Sequence, residues 1–266
     1  MKAMTNIVEP LACKVLQICQ ENDGEVTFRV ASDIVPQHGQ FLQLSLPKVG
    51  EAPISVSAFG AGWLEFTVRA VGRVTDQLFA LKPGENLFLR GAYGKGWPMA
   101  ELLGKPLVMI TGGTGIAPVR SILQEALQKP TNFPSLHLVS GFRDYQSVLF
   151  KEELPVWSKA FSCLYTLDNE EQPGFAQGFV TQHLQSIPFA TLGGSYQVLV
   201  VGPPAMMHFT SLGLLQLGVP EESIWLSFER KMSCAVGKCG HCRIDEVYVC
   251  LEGPVFNYTV AKGLID

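Results

Sequence analysis

Four cysteines near the C-terminus have the spacing of iron–sulfur ligands. They follow the pattern C-x4-C-x2-C-x7-C, as Cys234, Cys239, Cys242 and Cys250. The first three have the plant-type [2Fe–2S] spacing, and a fourth thiolate completes the set. Gly237 and Gly240 lie between them, where the chain must wrap the inorganic core closely and a larger residue would not fit. Because such a cluster transfers single electrons, the segment predicts an electron carrier.

The same cysteines could instead bind zinc or form disulfides. Cys239-x2-Cys242 would serve as half of a zinc knuckle, but structural zinc sites usually have two C-x2-C pairs and this segment has one. Residues Met1–Pro10 lack the apolar core of a secretory signal. We therefore expect a cytoplasmic protein whose thiols stay reduced. Iron is favoured, and zinc stays an alternative.

Length and charge exclude several classes of protein. A chain of 266 residues is long for one domain, so two are expected. The net charge of −4 provides no basic face for nucleic acid. No run of 18 apolar residues is present, so no membrane-spanning helix is expected.

The N-terminal third of the chain predicts a small antiparallel barrel. Short apolar segments alternate there with turns rich in Gly, Pro, Asn and Asp, which is typical of barrel strands. The predicted strands are Lys14–Cys19, Val26–Ala31, Phe41–Leu46, Ile54–Ala58, Leu64–Val71 and Asn86–Arg90. Helical spacing interrupts them over Thr75–Leu81, with Thr75 as the expected N-cap.

The middle of the chain predicts an α/β domain with a parallel sheet, because strands and helices alternate. The strands are Pro106–Thr111, Leu136–Ser140, Ser162–Leu167, Gln197–Val201 and Ile224–Phe228, and the helices are Pro118–Gln128, Phe179–Leu184 and Ala205–Leu217. We expect a barrel domain over residues 1–100, a Rossmann-like domain over 104–229 and a cluster-binding segment over 230–266.

Two glycine-containing loops follow parallel strands and are candidates for dinucleotide binding. The first consists of Gly112, Gly113, Thr114, Gly115, Ile116, Ala117 and Pro118. Glycines let backbone N–H groups approach a pyrophosphate, and a helix N-terminus adds partial positive charge. The loop lacks the G-x-G-x-x-G form. Gly202-Pro203 ends another strand and should face the same crevice. A ligand-free turn and a plain strand end remain the alternatives.

Taken together, these motifs resemble those of the ferredoxin–NADP⁺ reductase-like flavoprotein superfamily. The resemblance covers nearly the whole chain, through Pro53-Ile54-Ser55, Gly72-x-Val74-Thr75, Arg90–Gly94, the Gly112–Pro118 loop and Gly202-Pro203-Pro204. Glu229-Arg230-x-Met232 and Gly253–Phe256, on either side of the cysteines, resemble the branch with a C-terminal [2Fe–2S] loop. That branch includes the electron-transfer subunit of dihydroorotate dehydrogenase and hydrogenase gamma subunits. The tail after Pro254 is most similar to B subunits of anaerobic sulfite reductase.

The resemblance implies FAD on the barrel and a nicotinamide dinucleotide on the α/β domain. Pro53, Ile54 and Ser55 would flank the flavin ring, with Ser55 as the catalytic residue at its N5 edge. Val68, Arg69 and Ala70 would line the strand beside the flavin, and Gly72, Val74 and Thr75 would hold its pyrophosphate. The Gly112–Pro118 loop, with Gly202 and Pro203, would take the nicotinamide dinucleotide, and the four cysteines would bind the cluster.

Some residues depart from the family pattern or leave the cofactor open. Many relatives have Arg at the position of Ala52 and an aromatic at that of Ile54, so either the FAD affinity is lower or Arg69 and Arg90 compensate. NADH is favoured over NADPH, although Arg143 would suit a 2′-phosphate and Asp144 would not. The C-terminal Leu264-Ile265-Asp266 predicts no aromatic lid over the flavin.

The implied function is transfer of electrons from NAD(P)H through FAD and the cluster to partner subunits. For the sulfite reductase type, these are an iron–sulfur subunit and a sirohaem subunit that reduces sulfite to sulfide. The alternatives are the electron-transfer subunit of dihydroorotate dehydrogenase or of a hydrogenase and, in another class, a zinc-stapled binding module on a flavoprotein fold. Tyr248, Phe256 and Tyr258 are candidate partner contacts, although core packing is favoured for Phe256.

Overall fold

The N-terminal part of the chain forms a closed antiparallel barrel. The computed structural model describes residues 8–193 and 195–264. Its first strands are β1 (Leu11–Asn22), β2 (Glu25–Ala31), β3 (Phe41–Leu46), β4 (Gly50–Gly60), β5 (Trp63–Arg69) and β6 (Asn86–Tyr93). They pair in the order β1-β2-β5-β4-β3-β6, and β6 returns to β1. Phe28, Leu44 and Phe66 are fully buried inside the barrel, whose existence the sequence predicted.

The helix after β5 begins earlier than predicted. It is α1 (Arg73–Leu78), and Gly72 precedes it as the N-cap. Thr75 is therefore not the N-cap but lies one turn inside the helix. Its hydroxyl reaches back to accept hydrogen bonds from the backbone N–H groups of Val71 and Gly72, each over 3.0 Å. The side chain thus still fixes the entry to the helix.

A seven-stranded sheet follows the barrel. The remaining elements are α2 (Met99–Leu102), β7 (Leu107–Gly112), α3 (Ala117–Gln128), β8 (Leu136–Phe142), α4 (Leu154–Ala160), β9 (Ser162–Leu167), β10 (Ala176–Gln177), β11 (Gln197–Val201), α5 (Pro204–Gln216), β12 (Ile224–Ser227), β13 (Arg243–Ile244), β14 (Val247–Tyr248), α6 (Val249–Glu252), β15 (Val255–Asn257) and α7 (Tyr258–Ala261). The strand order is β10-β9-β8-β7-β11-β12-β15. All neighbours are parallel except β15, which runs antiparallel to β12.

The predicted parallel strands are all present, whereas one predicted helix is different. Phe179–Leu184 does not form an α-helix; a 3₁₀ helix spans Val180–Ser186 instead. Pro188 follows the segment directly after Ile187, and the residue before a proline is disfavoured in the α conformation. Within the described ranges, no helix has the length and hydropathy needed to cross a membrane.

The C-terminal segment packs into the molecule rather than extending from it. Its strand β15 closes one edge of the sheet. Phe256 and Tyr258 are 6% and 5% exposed and belong to the core that contains Cys242 and Cys250. The core packing favoured for Phe256 is therefore confirmed, the predicted role of Tyr258 as an exposed partner contact is wrong, and Tyr248 is half-buried. The expectation about a C-terminal lid falls partly on Ile265 and Asp266, which lie outside the described residues.

Helix α3 packs the sheet against the barrel. His38 of the barrel contacts Ser121 Oγ through Nδ1 at 2.8 Å and Glu125 through Nε2 at 2.7 Å. Trp97 Nε1 donates to the carbonyl of Pro118 at 3.0 Å. These contacts hold the barrel beside the carboxyl ends of the parallel strands, where ligands of open α/β sheets bind.

Candidate functional site

The first glycine loop connects β7 to α3 through a tight turn. Gly113–Ile116 form one turn of 3₁₀ helix, in which Gly113 has a φ of 54°. A Cβ atom at Gly115 would collide with the carbonyl oxygen of Val201, the last residue of the neighbouring strand. Glycine at position 115 therefore lets the loop lie directly on the end of β11.

The second glycine loop meets the first, as the sheet topology predicted. Thr111 pairs with Val201, so the loops that follow β7 and β11 are adjacent. A Cβ atom at Gly202 would lie 3.2 Å from the backbone nitrogen of Gly112. A Cβ atom at Gly112 would lie 3.3 Å from Pro203 Cδ. Both loops thus line one crevice.

This crevice is a cleft of two connected parts between the barrel and the sheet. The larger part has a volume of about 680 Å³ and the smaller about 320 Å³, which is in the range of small-molecule and cofactor sites. Arg69, Gly112, Thr114 and Pro203 line both parts. Phe142, Arg143, Asp168, Met206 and Phe209 contribute to the larger part. Gly115 and Gly202 contribute to the smaller part.

The predicted loop divides into a cleft-facing half and a buried half. Gly112, Gly113, Thr114 and Gly115 line the cleft. Ile116, Ala117 and Pro118 are buried at the start of α3. Ile116 and Ala117 belong to the core on one face of the sheet, and the Pro118 carbonyl accepts the Trp97 hydrogen bond. The latter three residues support the loop from behind.

The smaller part of the cleft contains an acidic residue, Glu229, which belongs to the motif before the cysteines but was not among the predicted site residues. Glu229 lies there together with Arg69 and Phe228. Burial raises the pKa of the Glu229 carboxyl, and the nearby charge of Arg69 opposes this rise. Glu229 comes two residues after β12 ends. The rule that ligands lie beyond the carboxyl ends of parallel strands would have found it.

The predicted flavin residues lie on the barrel strands β4 and β5 and at the start of α1, which follows β5. Pro53, Ile54 and Ser55 are half-buried in β4, and Ser55 pairs with Phe41. Val68 is fully buried inside the barrel, so its backbone rather than its side chain is available to a ligand. Arg69 and Ala70 are exposed at the end of β5.

The helix start leaves room for a phosphate-bearing ligand. No atom lies within 4 Å of a Cβ atom built at Gly72. Val71 is 72% exposed, and Val74 is half-buried beside the turn. Exposed backbone at a helix N-terminus next to an exposed apolar side chain fits a dinucleotide such as FAD. Arg90 does not face this turn, because Glu51 and the cysteine loop occupy its guanidinium, so its expected compensation for Ala52 is wrong.

The cysteine loop surrounds its sulfur atoms with backbone N–H groups. Cys234 Sγ accepts hydrogen bonds from the N–H groups of Val236, Lys238 and Cys239 over 3.3–3.4 Å. Cys250 Sγ accepts one from Gly237 at 3.3 Å. Gly237 has a φ of 70°, and a side chain there would collide with Leu251. Sulfur atoms ringed by amide donors fit thiolates that ligate an iron–sulfur centre.

The four cysteines lie close to one another, and Cys250 is near Cys234 as well as Cys242. Cys239 hydrogen-bonds with Cys234, and Cys250 with Cys242. Hydrogen bonds from the backbone around Cys234 and His241, with the Cys234 thiol itself, lower the pKa of Cys239 to about 7. Burial raises the pKa of Cys250 to about 12. Among the described residues, no three His, Cys, Asp or Glu side chains are grouped around the position of a single metal ion.

Two protein families match parts of the chain. Residues 109–211 match the oxidoreductase NAD-binding domain. Residues 229–260 match the iron–sulfur cluster binding domain of dihydroorotate dehydrogenase B. The first match contains both glycine loops, and the second contains all four cysteines.

Curated proteins resemble the chain over most of its length. Sulfhydrogenase 1 subunit gamma of Pyrococcus furiosus is 34% identical over 241 residues, which cover 86% of this chain and 82% of the relative. The probable dihydroorotate dehydrogenase B (NAD(+)) electron transfer subunit of Methanocella arvoryzae is 30% identical, with 94% and 91% covered.

A solved structure has the same fold. It comes from a study of flavin-based electron bifurcation in an NADH-dependent reduced ferredoxin-NADP oxidoreductase, and its TM-score is 0.78. The identity is 23%, and the alignment covers 96% of this chain and 89% of that one.

Proposed function

The chain belongs to the family of NAD(P)H-oxidising iron–sulfur flavoprotein subunits that includes sulfhydrogenase gamma and dihydroorotate dehydrogenase B electron-transfer subunits, and on that premise we propose that it passes electrons from NADH through FAD to a [2Fe–2S] cluster. The observation that carries the proposal is the gathering of Cys234, Cys239, Cys242 and Cys250 in one loop, whose backbone N–H groups donate to Cys234 Sγ and Cys250 Sγ. A cluster of two irons needs two thiolates at each iron.

The nucleotide end of the cleft would hold the dinucleotide through backbone. Gly112, Gly113, Thr114 and Gly115 present N–H groups at the start of α3, where the helix dipole favours a phosphate. Gly202 and Pro203 would close the other side. Arg69 and Glu229, in the smaller part of the cleft, would flank the nicotinamide. In this proposal the flavin-binding barrel comprises residues 1–100, the nucleotide-binding domain residues 104–229 and the cluster-binding segment residues 230–266.

The barrel would hold the flavin. FAD, when bound, accepts two electrons as a hydride and releases them singly. Pro53 and Ile54 would pack against the flavin ring, and the Ser55 hydroxyl would hydrogen-bond to the N5 edge of that ring. Gly72, Val74 and Thr75 would hold the pyrophosphate, with Arg69 as the nearby cation. The backbone of Val68 and Ala70 would line the remaining side.

The partner that receives the electrons is proposed from the relatives. Their names support a hydrogenase or a dihydroorotate dehydrogenase as the partner. Reduction of sulfite, with an iron–sulfur subunit and a sirohaem subunit as partners, rests on the similarity of the tail after Pro254 alone. Neither relative is a subunit of a sulfite reductase by name, so this partner is the second candidate.

The test uses the full chain purified without oxygen. Iron, zinc and flavin are quantified, and electron paramagnetic resonance spectra are recorded before and after addition of NADH. A rhombic [2Fe–2S] signal that appears with NADH is expected. Zinc in place of iron would overturn the proposal in favour of a zinc-stapled binding module, and a silent spectrum with the flavin still oxidised would also overturn it.

A second measurement assigns the terminal reaction to a partner. The isolated chain should oxidise NADH with an artificial acceptor such as ferricyanide, because the cleft and the flavin site lie within it. It should not turn over hydrogen, dihydroorotate or sulfite by itself. Sulfide, hydrogen or orotate formed by the single chain would contradict its assignment as an electron-transfer subunit.

A further inference from the structure

Arg90 joins the barrel to the backbone of the first predicted cluster cysteine. It lies in β6, and its side chain is 7% exposed. Its Nε and Nη2 donate to the two carboxylate oxygens of Glu51 over 2.7 and 2.5 Å. Nη1 donates to the Tyr93 hydroxyl at 2.9 Å and to the carbonyl of Cys234 at 2.8 Å. Nη2 also donates to the carbonyl of Ser233 at 2.5 Å. These bonds use all five donors of the guanidinium.

We propose that Arg90 is a positioning residue that fixes the cysteine loop on the barrel and raises the reduction potential of the cluster held there. The inference rests on the proposed function, because it requires a cluster at Cys234, Cys239, Cys242 and Cys250.

The first step of the argument concerns the backbone that Arg90 holds. The carbonyls of Ser233 and Cys234 immediately precede Ala235, which has a φ of 58°. This left-handed turn directs the following N–H groups of Val236, Lys238 and Cys239 towards Cys234 Sγ. Release of the two carbonyls would free the turn and lengthen those hydrogen bonds.

The second step concerns charge. Reduction adds one negative charge to a cluster, so N–H donors to its sulfurs and a nearby cation stabilise the reduced form and raise the potential. The Arg90 guanidinium is a permanent cation that is hydrogen-bonded to the backbone carbonyl of Cys234 at 2.8 Å. Glu51 opposes this charge, and its side chain is 31% exposed. Arg90 and Glu51 should therefore shift the potential in opposite directions.

The third step concerns the two ends of the connection. Glu51 lies in β4, two residues before Pro53, where the proposed flavin segment begins. One side chain thus ties the proposed flavin strand to a proposed cluster ligand. Lysine could not replace it, because a single ammonium cannot span a carboxylate and two carbonyls as a planar fork does.

The test compares the variants Arg90→Met, Arg90→Lys and Glu51→Gln in the full chain. The cluster potential is measured by a redox titration followed by electron paramagnetic resonance, and iron and flavin contents are measured alongside. Arg90→Met should shift the potential to more negative values and reduce the iron content while flavin content is retained. Arg90→Lys should shift it less. Glu51→Gln should shift it to more positive values, which a merely structural disturbance would not do.

A matched control is Arg29→Met. Arg29, like Arg90, forms an ion pair with a glutamate of the barrel, in this case Glu65. Because its guanidinium binds that carboxylate and not the cysteine loop, its replacement should leave the cluster potential unchanged. The inference would be overturned if Arg90→Lys and Glu51→Gln both bound a full complement of iron and had the potential and spectrum of the wild type. This holds even if Arg90→Met loses its cluster. A wild-type chain that binds no iron would overturn the proposed function itself, and the inference with it.

Discussion

Arg120 of α3 and Glu65 of β5 form an ion pair across the boundary between sheet and barrel, with Nη1 2.5 Å from Oε2. Their side chains are only 9% and 7% exposed. Arg120 also donates to Glu153 and lies over the ring of Phe150 at 4.5 Å. Arg29 binds the other oxygen of Glu65. Arginines of the barrel and of α3 thus bind the two oxygens of the buried Glu65 carboxylate. If the barrel separated from α3, Glu65 would be exposed or would lose Arg120 as its partner.

Replacement of Arg120 by Met should destabilise the chain strongly. The substitution leaves the buried Glu65 with Arg29 as its remaining cation, and removal of one partner of a buried pair costs about 3–5 kcal/mol. Urea unfolding measures the free energy. The control is Arg29→Met, whose guanidinium is 40% exposed, for which a loss of about 0–1 kcal/mol is expected. Equal losses for the two variants would contradict the assignment of Arg120 as the buried member.

His38 should make stability fall as the pH drops below the ordinary histidine pKa of about 6.5. Burial lowers the pKa of His38, and the adjacent Glu125 carboxylate only partly opposes this. The unfolded chain therefore takes up a proton near the ordinary histidine value of about 6.5 while the folded chain does not. Stability is highest above that pH and falls as the pH is lowered towards the folded pKa. Thermal unfolding at several pH values should show a smaller loss in His38→Gln, and an unchanged slope would contradict this.

The sequence predicted the elements that depend on local pattern. Alternating strands, the glycine loop before α3 and the cysteine spacing were all readable, because each is contained in a short continuous segment. The ion pair of Arg120 and Glu65 was not readable, since 55 residues separate the partners. The partners of Arg90 were not readable for the same reason, because they are 39 and 144 residues away.

Short elements were also hidden from the sequence. Strand β15 has three residues, too few to show alternation, so Tyr258, which directly follows it, resembled an exposed loop aromatic. The pairing of β15 with β12 brings the start of α7 into the core. The misplaced N-cap at Thr75 has a related cause, because a threonine that reaches back from the first turn has the same local sequence as one that caps it.

Gly115→Ala should weaken nucleotide binding. The new methyl group would collide with the backbone carbonyl of Val201, so the loop must move away from the end of β11. We expect at least a tenfold loss of NADH affinity, which corresponds to about 1.4 kcal/mol, measured by isothermal titration. Gly104→Ala is the control, because its φ of 76° strains an alanine at a position that does not line the cleft, and no atom lies within 4 Å of the new methyl. Equal NADH affinity in both variants would place the dinucleotide elsewhere.

In protein stripped of iron, Cys239 should be the most reactive of the predicted cluster cysteines. Its thiol is exposed, and the hydrogen bonds around it lower its pKa to about 7, whereas burial raises the pKa of Cys250 to about 12. Since the thiolate is the nucleophile, iodoacetamide should modify Cys239 half-maximally near pH 7 and leave Cys250 intact, as mass spectrometry can show. Cys19 is an exposed internal reference. Equal modification of Cys239 with and without iron would show that it is not a ligand.

The preference for NADH should depend on carboxylates at the ends of β8 and β9. Arg143 and Asp168 line the cleft there, and Asp144 pairs with Arg143 at 2.8 Å. The pairing engages the cation that a 2′-phosphate would need, and Asp168 would repel that phosphate. Asp168→Asn should therefore raise the affinity for NADPH about tenfold, or about 1.4 kcal/mol, and change that for NADH much less. Glu170→Gln, which alters a nearby carboxylate bonded to the backbone of Tyr145, should leave the ratio unchanged. A wild-type preference for NADPH, or a ratio that responds equally to both substitutions, would remove Asp168 as the determinant.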